Sequence, residues 1–427
     1  MLDHTPAEQA IVETAKRVLP AGTFGNVADS IVIDRGEAGH VWDVSGNRYI
    51  DYLIGSGPMI VGHNHPKVTA AVMEQVPKGT TFFVNNEHGI KLAEVIIDAV
   101  ACAEQVRYVS TGSEADLYAM RVARAHTGRD KILKFEGGYH GMSDYALNSL
   151  APKTLANFPQ PVQDSAGIPA SVSANIIVAP YNDEAAVRSL VNQYKDELAG
   201  IIVEPFQRII PPEPGFLEFL REVTTENELV LIFDEVVTGF RLAYGGAQEL
   251  YGVTPDICTL GKAIGGGFPL AAIAGRSDIM AHFDRGIVGD DGFVMQVGTL
   301  SGNPVAAVAG LATLDILREP GAYDRLARTG QTLMENLERA LKDAGIAAQI
   351  CGVPSLFEAV FTDAPVKDYR GTFRGDAQKA QRFNQLLRER GILKGDTKYY
   401  VSLAHTDDDV AETTAAWVSA LAVLKDM

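Results

Sequence analysis

From about residue 100 to residue 275, short apolar runs near 106–110, 131–135, 175–179, 200–204, 230–234 and 257–260 alternate with stretches whose apolar positions recur at helical spacing. Runs that are apolar at every position, and too short for a helix core, are those that fill a sheet covered on both faces. Their alternation with helices predicts an α/β fold built on a doubly wound, mainly parallel sheet. Before this region the pattern predicts a helix over 6–18, a loop with Pro20 and Gly22, and short strands at HVWDV (40–44) and RYIDYL (48–53). After it, a helix starts at the Ser301–Pro304 turn and runs through AAVAGLATLDIL (306–317). A smaller α+β region follows, strand-like over 347–361 and helical over 378–391. The expected organisation is an N-terminal segment (1–60) joining the small domain, a large domain (61–310) and a C-terminal small domain (311–427).

Size and charge narrow the function. A chain of 427 residues, 46% of them hydrophobic, exceeds what one compact core usually holds, in keeping with two domains. A formal net charge of −17 argues against nucleic acid or an anionic membrane surface as partner, so an anionic substrate would have to be drawn by local cations. Cys102, Cys258 and Cys351 have no paired spacing, which fits a reducing cytoplasm. No run of about 20 apolar residues and no signal-like N-terminus is present.

The densest chemistry lies in DEVVTGFR (234–241) and LGKAIGGGFP (260–269). Asp234 ends the strand ELVLIFDE, and ligands of open α/β sheets collect outside the carboxyl ends of strands. Lys262 follows the strand-like ICTL (257–260) and precedes Gly265, Gly266 and Gly267, which would let the backbone approach a ligand closely. A buried acid and a lone lysine suit pyridoxal 5'-phosphate, whose ring nitrogen needs a carboxylate and whose aldehyde needs an amine to form a Schiff base. A P-loop is excluded because Asp256 stands where its first glycine belongs and Ala263 where its Ser or Thr belongs.

A phosphate site is expected in VRYVSTGSEADLYAMRVARAH (106–126), a strand, a turn and a helix start. Free backbone N–H groups at a helix start bind phosphate, which makes Gly112 and Ser113 the candidate ligands, with Ser113 as plain N-cap the alternative. Glu114 and Asp116 must then point away from the dianion. In FEGGYHGMSDYA (135–146), Tyr139 is a candidate to lie flat on a pyridine ring, with a half-exposed turn residue the alternative. His63 and His65 lack a third ligand nearby and predict no metal site. No GxGxxG follows a strand, so a nicotinamide enzyme is not expected.

STGSEA, YHG, VEP (203–205), DEVVTGFR, LGKAIGGG and VGTLSGNP (297–304) occur in an order and spacing that resemble the class III pyridoxal phosphate aminotransferases, in the branch that includes glutamate-1-semialdehyde aminomutase. The resemblance runs from about residue 41 to residue 406 and implies the fold type I architecture of that family. It implies Lys262 as the Schiff-base lysine, Asp234 as partner of the ring nitrogen, and Val236 on the ring face opposite Tyr139. Gly112 and Ser113 match the phosphate turn, and Glu204 an acid close to the ring. Thr299 matches a threonine reaching the phosphate from the neighbouring subunit, which implies a homodimer.

Departures from the aminomutase pattern favour an aminotransferase. Ser56, in GSGPMI (55–60), stands where the aminomutases have a Trp, and Phe24, Gly25, Asn26, Val27 and Ala28 replace their Asn-Ser-Pro-Val-Arg. Both stretches line the substrate side in that family. After Glu204 the chain introduces Gln207, a candidate donor to the cofactor's phenolic oxygen, and Arg208. Arg208, Arg241, Arg370 and Arg374 are the candidate carboxylate forks, with Arg208 the first choice for reading an acidic substrate. The expected reaction moves an amino group from an amino acid or amine to a 2-oxo acid in a ping-pong cycle, with Lys262 shuttling the proton. Intramolecular transfer by an aminomutase is the alternative.

Overall fold

The computed structural model describes residues 4–26 and 31–425. Val27 and Ala28 lie outside the described residues. The chain divides into two compact units: Lys67–Glu319 with Val366–Phe373, and the described parts of Met1–Pro66, Pro320–Pro365 and Arg374–Met427.

The larger unit is organised by a seven-stranded sheet. Its strands are β1 (Gln105–Val109), β2 (Lys131–Phe135), β3 (Ile176–Ala179), β4 (Leu198–Val203), β5 (Val230–Glu235), β6 (Ile257–Leu260) and β7 (Ala271–Gly275). They lie in the order β1-β7-β6-β5-β4-β2-β3. The β3-β2-β4-β5-β6 run is parallel throughout. The last strand, β7, runs antiparallel to both β1 and β6. Every residue of β4, β5, β6 and β7 is buried, as expected of strands covered on both faces. The helix Gly112–Thr127 lies across β4 to β7 and closes one face with Ala115, Ala119, Met120, Val122 and Ala123. All six apolar runs singled out in the sequence are strands of this sheet; β7 was not among them.

Alternating connection geometry puts the carboxyl ends of β2, β4, β5 and β6 along one edge, where the segments 136–141, 204–210, 236–241 and 261–267 emerge. One more piece covers this unit. Val366–Phe373 leaves its chain neighbours in the other unit and lies on the turn after β2. Arg370 grips the buried Glu136 through Nε (2.7 Å) and Nη2 (3.0 Å). The side chain of Tyr369 fills the space a Cβ on Gly137 would need, 2.5 Å away, and Gly137 has a positive φ of 84°.

The smaller unit holds a four-stranded sheet, made by Ile33–Glu37, His40–Asp43, Arg48–Asp51 and Ile392–Leu393, and a three-stranded one. The second is the hairpin Gln349–Val353 and Leu356–Val360 with Tyr399–Tyr400. The amphipathic helix Ala322–Ala344 buries Leu326, Leu333, Leu337 and Leu341, and packs on the helix Asp407–Lys425. Trp417 of the latter is fully buried and donates to the Tyr399 hydroxyl at 2.9 Å. The helix over Pro6–Val18 forms as expected, capped by Thr5.

Candidate active site

The residues after β5 and β6 come together because the two strands are paired in register, Asp234 beside Thr259 and Glu235 beside Leu260. Val236, one residue past β5, inserts between two glycines. A Cβ on Gly112 would lie 2.8 Å from Val236 Cγ1, and one on Gly261 would lie 3.1 Å from the same atom. Val236 therefore touches both the expected phosphate turn and the residue preceding Lys262. Lys262 is half-buried at the start of the tight turn Lys262–Gly265, with a positive φ of 49°. Within the glycine run after it, Gly266 serves packing. A Cβ on Gly266 would lie 2.4 Å from the Ala309 carbonyl oxygen, so this glycine lets the helix Pro304–Leu317 pack closely.

Asp234 is 4% exposed and held by donors. Its Oδ2 is 2.8 Å from His140 Nδ1, and its Oδ1 accepts from the Val236 N–H at 3.1 Å. A carboxylate can only accept, so the shared proton of the first contact is placed on Nδ1. The His140 Nε2 is buried without a partner. His140 stands beside Tyr139, whose backbone N–H donates to Glu204 Oε2 at 2.9 Å. Glu204, at the end of β4, is buried. Burial pushes the Tyr139 phenol up, against the opposing pull of Arg208.

At the start of the helix Gly112–Thr127 the cap is Thr111, not Ser113. Glu114 folds back to accept from the N–H groups of Ser110 and Thr111, both at 2.9 Å. That leaves the N–H groups of Gly112 and Ser113 with no acceptor among the described residues, at the positive end of a 16-residue helix. Ser113 Oγ accepts from the Met142 N–H at 3.2 Å, so its own hydroxyl hydrogen can point outward. Gly141 (φ 84°) passes so close that a Cβ there would lie 2.5 Å from Ser113 Cα.

The candidate arginines separate. Arg370 is bound to Glu136 and to the Ala156 carbonyl (2.6 Å), which removes it as a substrate fork. Arg241 is 2% exposed in the body of the large unit and Arg374 is exposed in the other unit. Arg208 is half-buried, holds a positive φ of 62°, and places its guanidinium carbon 5.3 Å from the Tyr139 ring centroid. It makes no hydrogen bond or ion pair with the described residues. Gln207 departs from expectation: its Nε2 donates to the Glu136 carbonyl at 2.8 Å, and its Oε1 is the atom left buried and unpartnered. Ser56 and Thr299 are both exposed, the first in the small unit and the second in the 293–303 loop of the large one. His63 is paired with Asp51 at 2.7 Å.

These residues fit pyridoxal phosphate on their own terms. Two unpaired N–H groups at a helix start match a phosphate, glycines at 112 and 141 leave room beside Val236 and Ser113, and a buried acid supported by donors matches a pyridinium nitrogen. Fold and site thus define a pyridoxal phosphate-dependent enzyme of the fold type I architecture. Residues 24–421 match the Aminotransferase class-III family, and the chain belongs to it. It is similar to an omega-transaminase from Sphaerobacter thermophilus, 35% identical over 97% of each chain with a TM-score of 0.91. A beta-phenylalanine aminotransferase from Variovorax paradoxus is 32% identical over 97% of this chain and 93% of its own, with a TM-score of 0.86. A glutamate-1-semialdehyde aminomutase from Pseudomonas aeruginosa PAO1 shares the fold (TM-score 0.86, covering 98% and 95%) at 22% identity. The protein is a pyridoxal phosphate-dependent aminotransferase.

Sequence reasoning missed two members of the site. His140 stood in the quoted YHG motif, but nothing in a sequence tells which neighbour of a tyrosine faces an acid two strands away. Asp116 was expected only to point away from the phosphate, and it does so by turning into the protein beside Asp234.

Proposed function

We propose that this aminotransferase takes its amino group from an amino acid whose amine is not on the α-carbon, and passes it to a 2-oxo acid. The observation that carries this reading is Arg208, a guanidinium without an ionic partner lying over Tyr139. A half-buried arginine that has no carboxylate partner among the described residues is suited to one on the substrate, which it can grip with two parallel hydrogen bonds. The names of the transaminases it resembles, omega-transaminase and beta-phenylalanine aminotransferase, support a donor with a displaced amine.

Bound pyridoxal phosphate supplies an electron sink that lets the amino-bearing carbon give up a proton. The chain's own residues do the rest. Gly112 and Ser113 hold the phosphate through backbone N–H groups, while Val236 and Tyr139 confine the ring from opposite faces. Asp234, held in place by His140 and the Val236 N–H, would pair with the ring nitrogen. Glu204 orients the Tyr139 segment and sits close to the ring. Lys262 would hold the aldehyde, and its amine is the group suited to move a proton there, a kind of transfer typically worth about 10²–10⁴-fold in rate.

The working unit in this reading is a homodimer. Thr299 stands exposed in a loop with Met295, Val297 and Leu300, all large apolar side chains in solvent. The same unit has a groove lined by Phe83, Val84, Asn86, Ile90, Tyr108 and Val297. Exposed apolar surface of this kind supports an interface, and Thr299 would complete the partner's phosphate site. A cytoplasmic setting is supported by three cysteines that are buried and unpaired.

The test mixes the purified holoenzyme with α-amino acids, β-amino acids and simple amines in turn, and follows the loss of the cofactor's visible absorption. Recovery is then followed on adding pyruvate or 2-oxoglutarate. Bleaching by β- or other displaced amino acids is expected, and among α-amino acids only by the one that corresponds to the 2-oxo acid acceptor. Turnover of glutamate semialdehyde with no second substrate would overturn it.

A further inference from the structure

A second buried carboxyl stands behind Asp234. Asp116, in the second turn of the helix Gly112–Thr127, is 2% exposed. One ligand atom each from Asp116, His140 and Asp234 lie within 4.8 Å of one another. Thr259 joins the two acids: its hydroxyl is 2.7 Å from Asp116 Oδ1 and 3.4 Å from Asp234 Oδ1. Other charged or titratable groups near them are Glu204 at the end of β4, Lys134 of β2, and Tyr139 and His140 of the turn after β2.

Two carboxyl groups in contact and out of water cannot both be ionised, so the pair holds a proton. The donors decide where. Asp234 is met by the His140 Nδ1 and the Val236 N–H, both of which favour the charged form. Asp116 is met by the one Thr259 hydroxyl. Burial, and then the charge of Asp234, push the Asp116 carboxyl well above the usual carboxylate range.

We propose that Asp116 is a positioning residue, a carboxylic acid that keeps its proton at neutral pH and donates it in a hydrogen bond to Asp234. This rests on the reading of Asp234 as the ring acid. The donated bond fixes the direction of the Asp234 carboxylate and lowers its own affinity for a proton, so that the proton between Asp234 and the ring nitrogen stays on the ring. The cluster also has the make-up of a cation site; a single proton balances it without one.

The holoenzyme is prepared as wild type, Asp116→Asn, Asp116→Ala and Asp234→Asn. An asparagine keeps an N–H toward Asp234 and an oxygen toward Thr259, so it copies the protonated acid but cannot copy the carboxylate. Asp116→Asn is expected to hold the cofactor within about two-fold of wild type, and its visible absorption to titrate at an unchanged pH. Asp116→Ala is expected to bind the cofactor roughly ten-fold more weakly or worse, the order set by one lost buried hydrogen bond to a charged group. Infrared spectra at neutral pH should show a protonated carboxyl band in wild type that disappears in Asp116→Asn, which decides the matter even if the alanine variant does not fold. The proposal is overturned by the absence of that band, by equal damage in the asparagine and alanine variants, by an alanine variant indistinguishable from wild type, or by a stoichiometric metal ion in the purified protein. Asp234→Asn separates the two levels: unchanged cofactor affinity and spectrum there would mean that the ring-acid reading itself is wrong.

Discussion

Arg370 holds Glu136 by two parallel hydrogen bonds, although 234 residues separate them in the chain. Glu136 is 4% exposed and its carbonyl also receives the Gln207 side chain, so this pair fixes the turn that carries Tyr139. Removing the arginine leaves a buried carboxylate uncompensated. Arg370→Ala is expected to lower unfolding free energy by about 1–3 kcal/mol, below the usual range for a buried pair because Arg370 is one-third exposed. Denaturant melts measure it, and KM for the amino donor should change far less than in an Arg208 variant.

Arg208 carries the substrate prediction. Arg208→Ala should weaken donors that bear a carboxylate by about 10–100-fold in kcat/KM, the worth of one charge-assisted contact, and leave donors without a carboxylate near wild type. Equal losses for both donor types would assign Arg208 to the scaffold.

The backbone at Arg208 makes a further statement. Its φ of 62° lies in the left-handed region, which costs a residue with a Cβ about 1–2 kcal/mol relative to glycine. Arg208→Gly should therefore melt at a higher temperature than Arg208→Ala while sharing its loss of carboxylate donors. A glycine variant no more stable than the alanine one would show that the turn is not strained.

Gly112 is expected to tolerate no side chain. In Gly112→Ala the new methyl meets Val236 Cγ1 at 2.8 Å, so the turn or Val236 must move. Equilibrium dialysis should find cofactor retention reduced at least several-fold with overall stability little changed. Val236→Ala in the same chain should recover part of the loss by making room.

His405 sets a pH limit on the smaller unit. It is fully buried between the Asp51 carbonyl (3.0 Å) and the Ser402 N–H (3.1 Å), and burial pushes its pKa down to about 4. The unfolded chain takes up this proton near pH 6.5 and the folded one only near 4, so the neutral imidazole's contribution is complete above 6.5 and fades as pH falls toward 4. Over that window the loss amounts to about 3 kcal/mol. Melting followed from pH 7 to 4 should show this decline, and His405→Gln should flatten it.

The sheet was readable because its central strands are apolar on both faces, as in LAGIIV and VLIFD. The strand β7, Ala271–Gly275, escaped notice because AAIAG has only one residue with a strong preference for strands. Its place is set by the partners on either side, which only the folded chain supplies. In the site, Asp234, Lys262 and the 112–113 turn were legible because each lies at or just past a strand whose carboxyl end could be located, whereas Val236 came from the family resemblance. Arg370 was misjudged as a substrate fork because its partner is remote in sequence. Asp116 was expected only to point away from the phosphate, since a helix position does not declare what it faces until the neighbouring strands are known.

The segment that clasps Glu136 also orders events in time. Synthesis proceeds at about 5–20 residues per second, so Arg370 emerges roughly 10–50 s after Glu136 has been made. Throughout that interval the nascent sheet carries an acid with no guanidinium to receive it. The tyrosine-bearing turn, and with it a competent vitamin B6 pocket, can be finished only once the segment around Arg370 has left the ribosome.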